Sequence, residues 1–302
     1  MFPLHVLLPV ARPNPMTVSV LIPTLNEGSN IADCLASVAW SDDIVVVDSG
    51  SRDGTSELAR GQGALVVDFQ WNGRFPKKKN WAIENVDWKH DWLLILDADE
   101  RITPELAREI HETAASVDVD GYFINRRFMF MGQWIRHCGY YPSWNLRLFR
   151  HRMGRYEKLH SGDTGSGDNE VHEHAVLEGK TAYLKHDMLH FAYPDINTWV
   201  EKHNRYSNWE ARVQIETRSS QPQAEIVGQH VSARRWLRDM SRHLPFRPAL
   251  RFLYSYVLKR GFLDGYPGYS LCRLLATYEL LSVLKAQEIM RGQSKLVAGK
   301  TG

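Results

Sequence analysis

Two aspartates separated by one residue end an apolar run in the segment LLILDADERITPEL, residues 93–106. Asp97 and Asp99 could hold a divalent metal, because carboxylate oxygens are ligands that Mg²⁺ and Mn²⁺ prefer. They could equally be polar residues that close a strand before the next helix. The segment is compatible with both interpretations, so the elements around it have to decide between them.

The elements that would position these aspartates alternate between strand and helix patterns. Four short aliphatic runs are typical of strands buried on both faces of a parallel sheet: 18–22, 43–48, 64–69 and 92–97. Helices are predicted between and after them, at about 28–39, 53–61, 76–86 and 104–116. Asp53 and Thr103 are the predicted N-caps, and Pro104 suits a first helical position. The alternation predicts an α/β fold made of βαβ units.

Acidic residues follow three of the predicted strands. Glu27 comes after the first strand, Asp48 ends the second and Asp97 ends the fourth. Ligands of such sheets bind at the carboxyl ends of the strands, so we expect the three side chains to face one crevice. Each of them alone could be a solvated loop residue or a helix cap.

The chain lacks the two common glycine-rich phosphate-binding motifs. No GxGxxG follows the first strand and no GxxxxGK[ST] occurs anywhere, which disfavours dinucleotide and P-loop phosphate binding. The basic segment RFPKKKNWA instead offers Lys77, Lys78 and Lys79. Together with a carboxylate-bound metal, such a lysine could neutralise the charge on a departing diphosphate. The alternative for each lysine is a solvated position at a helix start.

Four segments in register resemble glycosyltransferase family 2: VSVLIPTLNEGSNIADCLASV, DIVVVDSGSRDGT, KKKNWA and LLILDADERI. The resemblance covers about the first 120 residues. It implies a GT-A fold, which is a Rossmann-like, mostly parallel sheet flanked by helices, here with a helical C-terminal extension. It also implies an inverting, metal-dependent transfer of a sugar from a nucleotide-sugar, with UDP as the expected nucleotide.

The resemblance implies roles for individual residues. It places Pro23, Thr24 and Glu27 in the nucleoside pocket and lets Asp48 reach the base, and Asp53 resembles the acidic residue of the family's second loop.

In the family's DxD element the last aspartate, here Asp99, binds the Mg²⁺ or Mn²⁺, and the first, here Asp97, lies near the ribose. Lys79 is expected to bind the donor. Arg147 and Arg150 could contact the diphosphate or the acceptor, and a plain position at a strand edge is the alternative for both. His190 could be a further metal ligand, although a buried histidine with satisfied hydrogen bonds is the favoured interpretation.

Later segments resemble a narrower group, the bacterial transferases that build lipopolysaccharide core or exopolysaccharide, including core β-glucosyltransferases. These segments are YYPSWNLRLFR, NEVHEH, KHNRYSNWEA and KRGFLDGYPG. The resemblance implies a saccharide or lipid-linked acceptor.

An inverting displacement needs a carboxylate to take the proton of the acceptor hydroxyl. We expect this base in the EVHEH stretch, with Glu173 first, Glu170 second and Asp168 third; a polar loop without chemistry is the alternative, and His172 and His174 could bind phosphate.

Two other functions are compatible with parts of this pattern. A sugar-nucleotide-forming nucleotidyltransferase shares the architecture, but its glycine-rich signature is replaced here by PTLNEGSN. A non-catalytic nucleotide-sugar-binding protein could use the same scaffold, although it would have little need for groups that stabilise a leaving diphosphate.

Composition and patterning predict how the 302 residues are organised. A hydrophobic content of 43% and a charged content of 24% are typical of a globular protein. We expect a disordered or extended N-terminus at 1–16, for which a signal peptide is the less favoured interpretation, a catalytic domain at 17–217 and a linker at 218–232. The catalytic domain would comprise a nucleotide-binding half at 17–118 and an acceptor half at 119–217. A basic amphipathic helical region at 233–292 and a flexible tail at 293–302 complete the prediction.

The region from 234 to 260 combines eight Lys or Arg residues and one Asp with interleaved aromatic residues. This pattern suits helices that lie on an anionic membrane surface. A solvated cationic surface is the alternative, and nucleic acid is disfavoured because no other part of the chain resembles a nucleic-acid-binding module.

The same sequence features predict where the protein is located. The chain contains no run of eighteen apolar residues, so no transmembrane helix is predicted, and its three scattered cysteines fit a reducing compartment. We therefore expect a cytoplasmic protein, with a peripheral position on the inner face of the cytoplasmic membrane as a variant.

Overall fold

The computed structural model describes residues 18–114, 118–157, 174–219 and 246–298. The strands of this part of the chain are β1 Val18–Thr24, β2 Ile44–Asp48, β3 Leu65–Asp68, β4 Trp92–Ile95, β5 Glu100–Arg101, β6 Gly121–Phe130, β7 Gln133–Trp134, β8 Trp144–Arg150, β9 Gly154–Tyr156, β10 Ala175–Leu177 and β11 Thr181–His190. Its helices are α1 Ile31–Ser37, α2 Thr55–Gly61, α3 Lys78–Asn85, α4 Pro104–Ala114, α5 Ile196–Ser219, α6 Arg247–Leu253 and α7 Gly265–Ala298. A π-helical turn, Tyr254–Leu258, and a 3₁₀ turn, Gly261–Asp264, connect α6 to α7.

The first four strands form the predicted parallel sheet, in the order β3-β2-β1-β4. The aliphatic side chains of β1, β2 and β4 lie in two separate apolar clusters, as predicted. For β3 the prediction of a strand buried on both faces is wrong, because β3 lies at the edge of the sheet and Leu65 is 59% exposed. The register pairs Thr24 of β1 with Asp48 of β2, so the carboxyl ends of these strands lie side by side. Thr103 also caps α4 as predicted, because its hydroxyl accepts the Leu106 N–H at 3.2 Å.

Beyond β4 the direction of the strands changes. β8 pairs antiparallel with β4, and the order continues as β8-β6-β11-β5, with β7 on β6. The sequence of residues 120–190 predicts sheet extensions and mobile loops, and β6, β8 and β11 are such extensions. The α/β fold with a helical C-terminal region is confirmed. The parallel pairings found in the described part of the chain join the first four strands.

The described residues divide into two compact units. The first contains 18–114, 118–124, 145–157 and 174–188; the second contains 125–144, 189–219 and 246–298. The predicted linker at 218–232 begins inside α5, and its residues from 220 onward lie outside the described part, as do residues 1–16. The proposed domain limits stay predictions.

In the second unit, α5 and α7 pack against each other. The sequence of residues 270–290 predicts an amphipathic helix, and this segment lies within α7. Within the ranges given above, no helix has the length and apolarity needed to cross a bilayer. The three cysteines are all buried and free.

The sequence of α5 places six large side chains at helical spacing, which predicts a seam that faces the core: Trp199, Val200, His203, Tyr206, Trp209 and Val213. Trp199 and His203 are buried, and their rings stack at 3.6 Å between centroids. Val200 was expected in the same seam, but this prediction is wrong because its side chain is 47% exposed. Burial lowers the pKa of His203 from 6.5 to about 4, although its Nδ1–H donates to the Trp199 carbonyl.

This pKa predicts an acid-sensitive second unit. Between pH 6.5 and pH 4 the unfolded chain binds a proton at residue 203 that the folded chain does not bind, so stability falls as the pH falls. We expect His203 to lower the free energy of unfolding by up to about 3 kcal/mol over this range. Urea denaturation of the wild type and His203→Gln at several pH values measures the effect. Parallel pH curves for the two proteins would contradict it.

Candidate active site

The loops after β1 and β2 are held together at the carboxyl edge of the sheet. Thr24 Oγ1 donates to Asp48 Oδ1 at 2.9 Å, and the other Asp48 oxygen accepts the N–H groups of Gly50 and Ser51. Burial by itself raises the pKa of Asp48, but the hydrogen bonds from Ser51 and Thr24 outweigh it and lower this pKa. Asp48 is therefore a buried, ionised carboxylate that fixes the turn behind it.

A second carboxylate joins the same two loops nearer the surface. Asp53 Oδ2 accepts the N–H of Gly28 at 2.8 Å, and Oδ1 accepts the N–H of Thr55 at the start of α2. Asp53 was predicted to be the N-cap of α2, but Gly54 occupies that position. The Asp53 side chain still accepts an N–H at the start of the helix. A Cβ atom at residue 28 would lie 2.8 Å from the Asp53 carbonyl oxygen, so only glycine fits there without a shift of the loop.

Glu27 and Pro23 lie on the β1 side of this edge. The Glu27 carboxylate accepts the Asn30 side-chain N–H at 2.8 Å, while its carbonyl accepts the N–H groups that begin α1. Pro23 is half-buried within β1, opposite Val47. The structure therefore brings five predicted pocket residues together around two adjoining loops: Pro23, Thr24, Glu27, Asp48 and Asp53.

Asp97 lies between two cations. Lys79 Nζ donates to Oδ1 at 2.8 Å, and Arg147 Nη2 donates to Oδ2. Burial alone raises the pKa of Asp97, but the charges of Arg147 and Lys79 hold it well below its ordinary value of 3.8. The same pairing raises the pKa of Lys79 and of Arg147 against the effect of their burial. The Asp97 side chain is still 32% exposed, so one face of this ion cluster is open.

Glu100 is the residue of this cluster to which the sequence assigns no role. It is fully buried, and its Oε1 accepts from Arg147 Nη2 at 2.7 Å while its Oε2 accepts the Asp97 N–H at 3.0 Å. Glu100 therefore fixes both the guanidinium and the backbone of the turn that carries Asp97 and Asp99. Arg147 is itself buried, and its Nε–H has no hydrogen-bond partner within the described structure.

The lysine segment is more buried than a solvated helix start. Lys77 and Lys78 are buried, and Lys78 Nζ donates to the Thr24 carbonyl at 2.7 Å, which ties α3 to the end of β1. Lys79 is the lysine of the three that faces Asp97. Asn80, the next residue, exchanges two hydrogen bonds with the backbone of Tyr156, so α3 is also fixed to β9.

Asp99 is a half-buried carboxylate in the turn between β4 and β5. No group of three or more His, Cys, Asp or Glu side chains within the described ranges is arranged around a metal position. The donor set still fits Mg²⁺ or Mn²⁺ in a substrate complex, because such ions are typically held by one or two carboxylates plus phosphate oxygens. Asp99 is the better ligand candidate, since both oxygens of Asp97 already accept from cations.

The other predicted residues lie elsewhere or outside the described part. Four of them fall in 158–173, which is not described: Glu173, Glu170, Asp168 and His172. Arg150, the last residue of β8, pairs with Asp91 and covers the Trp92 ring. His190, in the second unit, packs against Phe128 with 5.9 Å between ring centroids.

Comparison with known proteins gives one matching family. Residues 19–168 match Glycosyl transferase family 2. The lipopolysaccharide core biosynthesis glycosyltransferase LpsC of Rhizobium meliloti (strain 1021) is 31% identical over 217 residues, which are 67% of this chain and 73% of LpsC. An uncharacterized glycosyltransferase of Rickettsia bellii (strain RML369-C) is 25% identical over 277 residues, covering 90% of this chain and 86% of that protein.

A solved structure with partial similarity is glucosyl-3-phosphoglycerate synthase from Mycobacterium tuberculosis, in complex with Mn²⁺, UDP-glucose and phosphoglyceric acid. It is 21% identical with a TM-score of 0.30, and the match covers 37% of this chain and 44% of the synthase. The chain therefore matches less than half of that protein's length.

The ion cluster makes two arginines of β8 unequal in their effect on stability. Arg147→Met leaves Asp97 and Glu100 without their shared cation, and we expect the free energy of unfolding to fall by about 3–5 kcal/mol. Arg150→Met, the matched control on the same strand, removes two partly exposed pairs, with Asp91 and Asp120, and should cost about 1 kcal/mol. Urea denaturation at pH 7 compares them. Equal losses for the two variants would contradict the proposed burial of charge.

Proposed function

The chain belongs to glycosyltransferase family 2, and from this premise we propose that it transfers a sugar from a nucleotide-sugar to a hydroxyl group of a saccharide or lipid-linked acceptor. We propose UDP as the nucleotide and bacterial lipopolysaccharide core or exopolysaccharide as the product. The observation that supports this most directly is the ion cluster of Lys79, Asp97 and Arg147 next to the turn that carries Asp99. We place the activity in the cytoplasm, at the inner face of the cytoplasmic membrane where the acceptor is lipid-linked.

The loops after β1 and β2 would receive the nucleoside. Thr24 and Asp48 hold each other, and Asp53 holds Gly28, so these side chains set the shape of the pocket before a ligand binds. The Pro23 ring at the same edge would then contact the nucleoside. A pocket fixed in advance binds its ligand with a smaller loss of conformational entropy.

The diphosphate would lie where Asp97 is already neutralised. Asp97 and Glu100 balance the charges of Lys79 and Arg147 in the free protein, and the two fixed cations would stabilise the charge that develops on the leaving diphosphate through their orientation. Mg²⁺ or Mn²⁺ held by Asp99 would supply further neutralisation of the same oxygens. Asp97, kept ionised by its two cations, is suited to accept hydrogen bonds from the ribose hydroxyls.

We propose a single displacement that inverts the anomeric centre. As the acceptor oxygen attacks, a carboxylate takes its proton while the bond to the diphosphate breaks. Glu173 is the proposed base and Glu170 the alternative. Both lie outside the described residues, so the proposal for them rests on the sequence pattern and on the chemistry of the reaction.

Two other functions are less well supported. A nucleotidyltransferase would need a glycine-rich segment after β1, where this chain has PTLNEGSN. A nucleotide-sugar sensor would need the pocket of β1 and β2 but neither Asp99 nor the two cations. Turnover therefore separates a transferase from a sensor.

Removing the proposed metal ligand should stop turnover and leave the fold intact. We expect Asp99→Asn to lower the release of UDP from the UDP-sugar that the wild type accepts, in the presence of Mn²⁺, by about 100-fold or more. Asp68→Asn changes a carboxylate that is 75% exposed at the end of β3 and should keep full activity. Unchanged activity in Asp99→Asn would refute the proposed metal site. A wild type without any turnover would refute the proposed reaction.

The two candidate bases can be distinguished by a pair of matched variants. Glu173→Gln should lower kcat by about 100-fold or more and abolish the acidic limb of its pH profile, because general base catalysis typically contributes about 10²–10⁴-fold. Glu170→Gln should retain the wild-type profile. If Glu170→Gln loses activity and the acidic limb while Glu173→Gln keeps both, Glu170 is the base. If both variants keep the wild-type profile, the base is not one of these two glutamates.

A further inference from the structure

An apolar surface lies on the second unit between residues 246 and 269. Ten large apolar or aromatic side chains there have exposed fractions between 36% and 81%. They are Phe246, Leu250, Leu253, Tyr254, Val257, Leu258, Phe262, Leu263, Tyr266 and Tyr269. Singly exposed apolar residues are common, but a continuous group of this size marks an interaction site.

Ring contacts connect the elements of this apolar surface. Tyr256 lies 5.1 Å from Phe252 of α6, 6.1 Å from Phe262 in the 3₁₀ turn and 5.7 Å from Tyr269 of α7, measured between ring centroids. The four elements that carry the exposed side chains, namely α6, the π-helical turn, the 3₁₀ turn and the first turns of α7, therefore pack against one another.

The two turns that present Leu258 and Leu263 are firmly held. Next to Leu258, the Lys259 carbonyl accepts the Cys138 N–H at 3.1 Å. The buried Asp264 carboxylate accepts the backbone N–H groups of Arg136 and His137, and the Asp264 carbonyl accepts from Gln133. A Cβ at residue 268 would lie 2.3 Å from the carbonyl oxygen of residue 261, so the 3₁₀ turn packs directly on α7. Leu258 and Leu263 are thus exposed on an ordered scaffold.

The charges around the apolar surface are almost all positive. Residues 246–273 contain five Lys or Arg and one acidic residue, and that acidic residue, Asp264, is buried. Three of the five basic residues are exposed: Lys259, Arg260 and Arg273. We call these three the basic rim of the apolar surface.

Two residues of the basic rim, Lys259 and Arg273, are in contact with aromatic residues of the surface. Lys259 Nζ lies 5.5 Å from the centre of the Tyr254 ring, and Arg273 donates to the Tyr269 hydroxyl at 2.8 Å. Tyrosine and basic side chains are suited to a membrane interface, since each places an apolar body in the lipid and a polar end in the headgroup layer.

We propose that this apolar surface docks on an anionic phospholipid membrane. Lipid acyl chains would take up the exposed Leu, Phe and Tyr side chains, and anionic headgroups would face the basic rim. The attachment is peripheral and needs no substrate, so it does not depend on the proposed reaction.

The charge distribution favours a membrane over three other partners for this surface: a second copy of the chain, the segment 220–245 and nucleic acid. In a two-fold dimer the same patch meets itself, so a second copy would bring like charges together. Residues 220–245 carry four Arg and two acidic residues, so this segment of the chain is cationic as well. Nucleic acid would satisfy the cations but would leave the ten apolar side chains without an apolar partner.

Vesicle sedimentation of the full chain tests the proposal. We expect the wild type to bind phosphatidylglycerol-containing vesicles at least about tenfold more strongly than phosphatidylcholine vesicles at low salt. The double variant Leu258→Glu, Leu263→Glu should weaken binding by at least about tenfold, because it removes apolar contact and adds negative charge. The control, Leu65→Glu with Tyr183→Glu, alters two similarly exposed residues of the first unit and should bind like the wild type.

Three results would overturn the proposal. The wild type could fail to bind anionic vesicles, or the double variant could bind as strongly as the control. The third is a wild-type dimer in gel filtration that the double variant converts to a monomer, with no vesicle binding by either, which would assign the surface to a second copy. Circular dichroism of the variants checks that their folds are retained, and UDP release tests the proposed reaction separately.

Discussion

One ionised carboxylate held between two cations is the interaction on which the site depends. Asp97 comes from the end of β4, Lys79 from α3 and Arg147 from β8, so a single cluster joins three elements at one edge of the sheet. Burying any one of these charges alone would be costly, and together they neutralise one another. Glu100 extends the cluster into the core and anchors Arg147 from its buried side.

The same cluster explains how a site that is stable without ligand can bind a charged substrate. Electrostatic stabilisation of a leaving group is most effective when the charged groups are already oriented. Here Lys79 and Arg147 are fixed before any ligand binds, and Asp97 remains partly exposed beside the turn that carries Asp99. The loops after β1 and β2 are fixed in a similar way by Asp48 and Asp53, whose hydrogen bonds are made within the protein.

The sequence predicts the parts of this arrangement that depend on local pattern. The aliphatic runs give β1 to β4, and strand ends place the acidic residues at one edge. Glu100 and Arg147 are harder to interpret, since a buried ion pair between β5 and β8 joins residues that are distant in sequence. The exposure of Val200 and the apolar surface at 246–269 likewise depend on which helices pack together, which helical periodicity alone does not determine.

A thermal-shift measurement of nucleotide binding tests the central claim most directly. The full chain would be heated with UDP, GDP, dTDP or CMP, each with and without Mn²⁺. We predict stabilisation by UDP that is clearly larger when Mn²⁺ is present, because a ligand that binds the folded state raises its melting temperature. No stabilisation by any nucleotide, with or without the metal, would contradict the account.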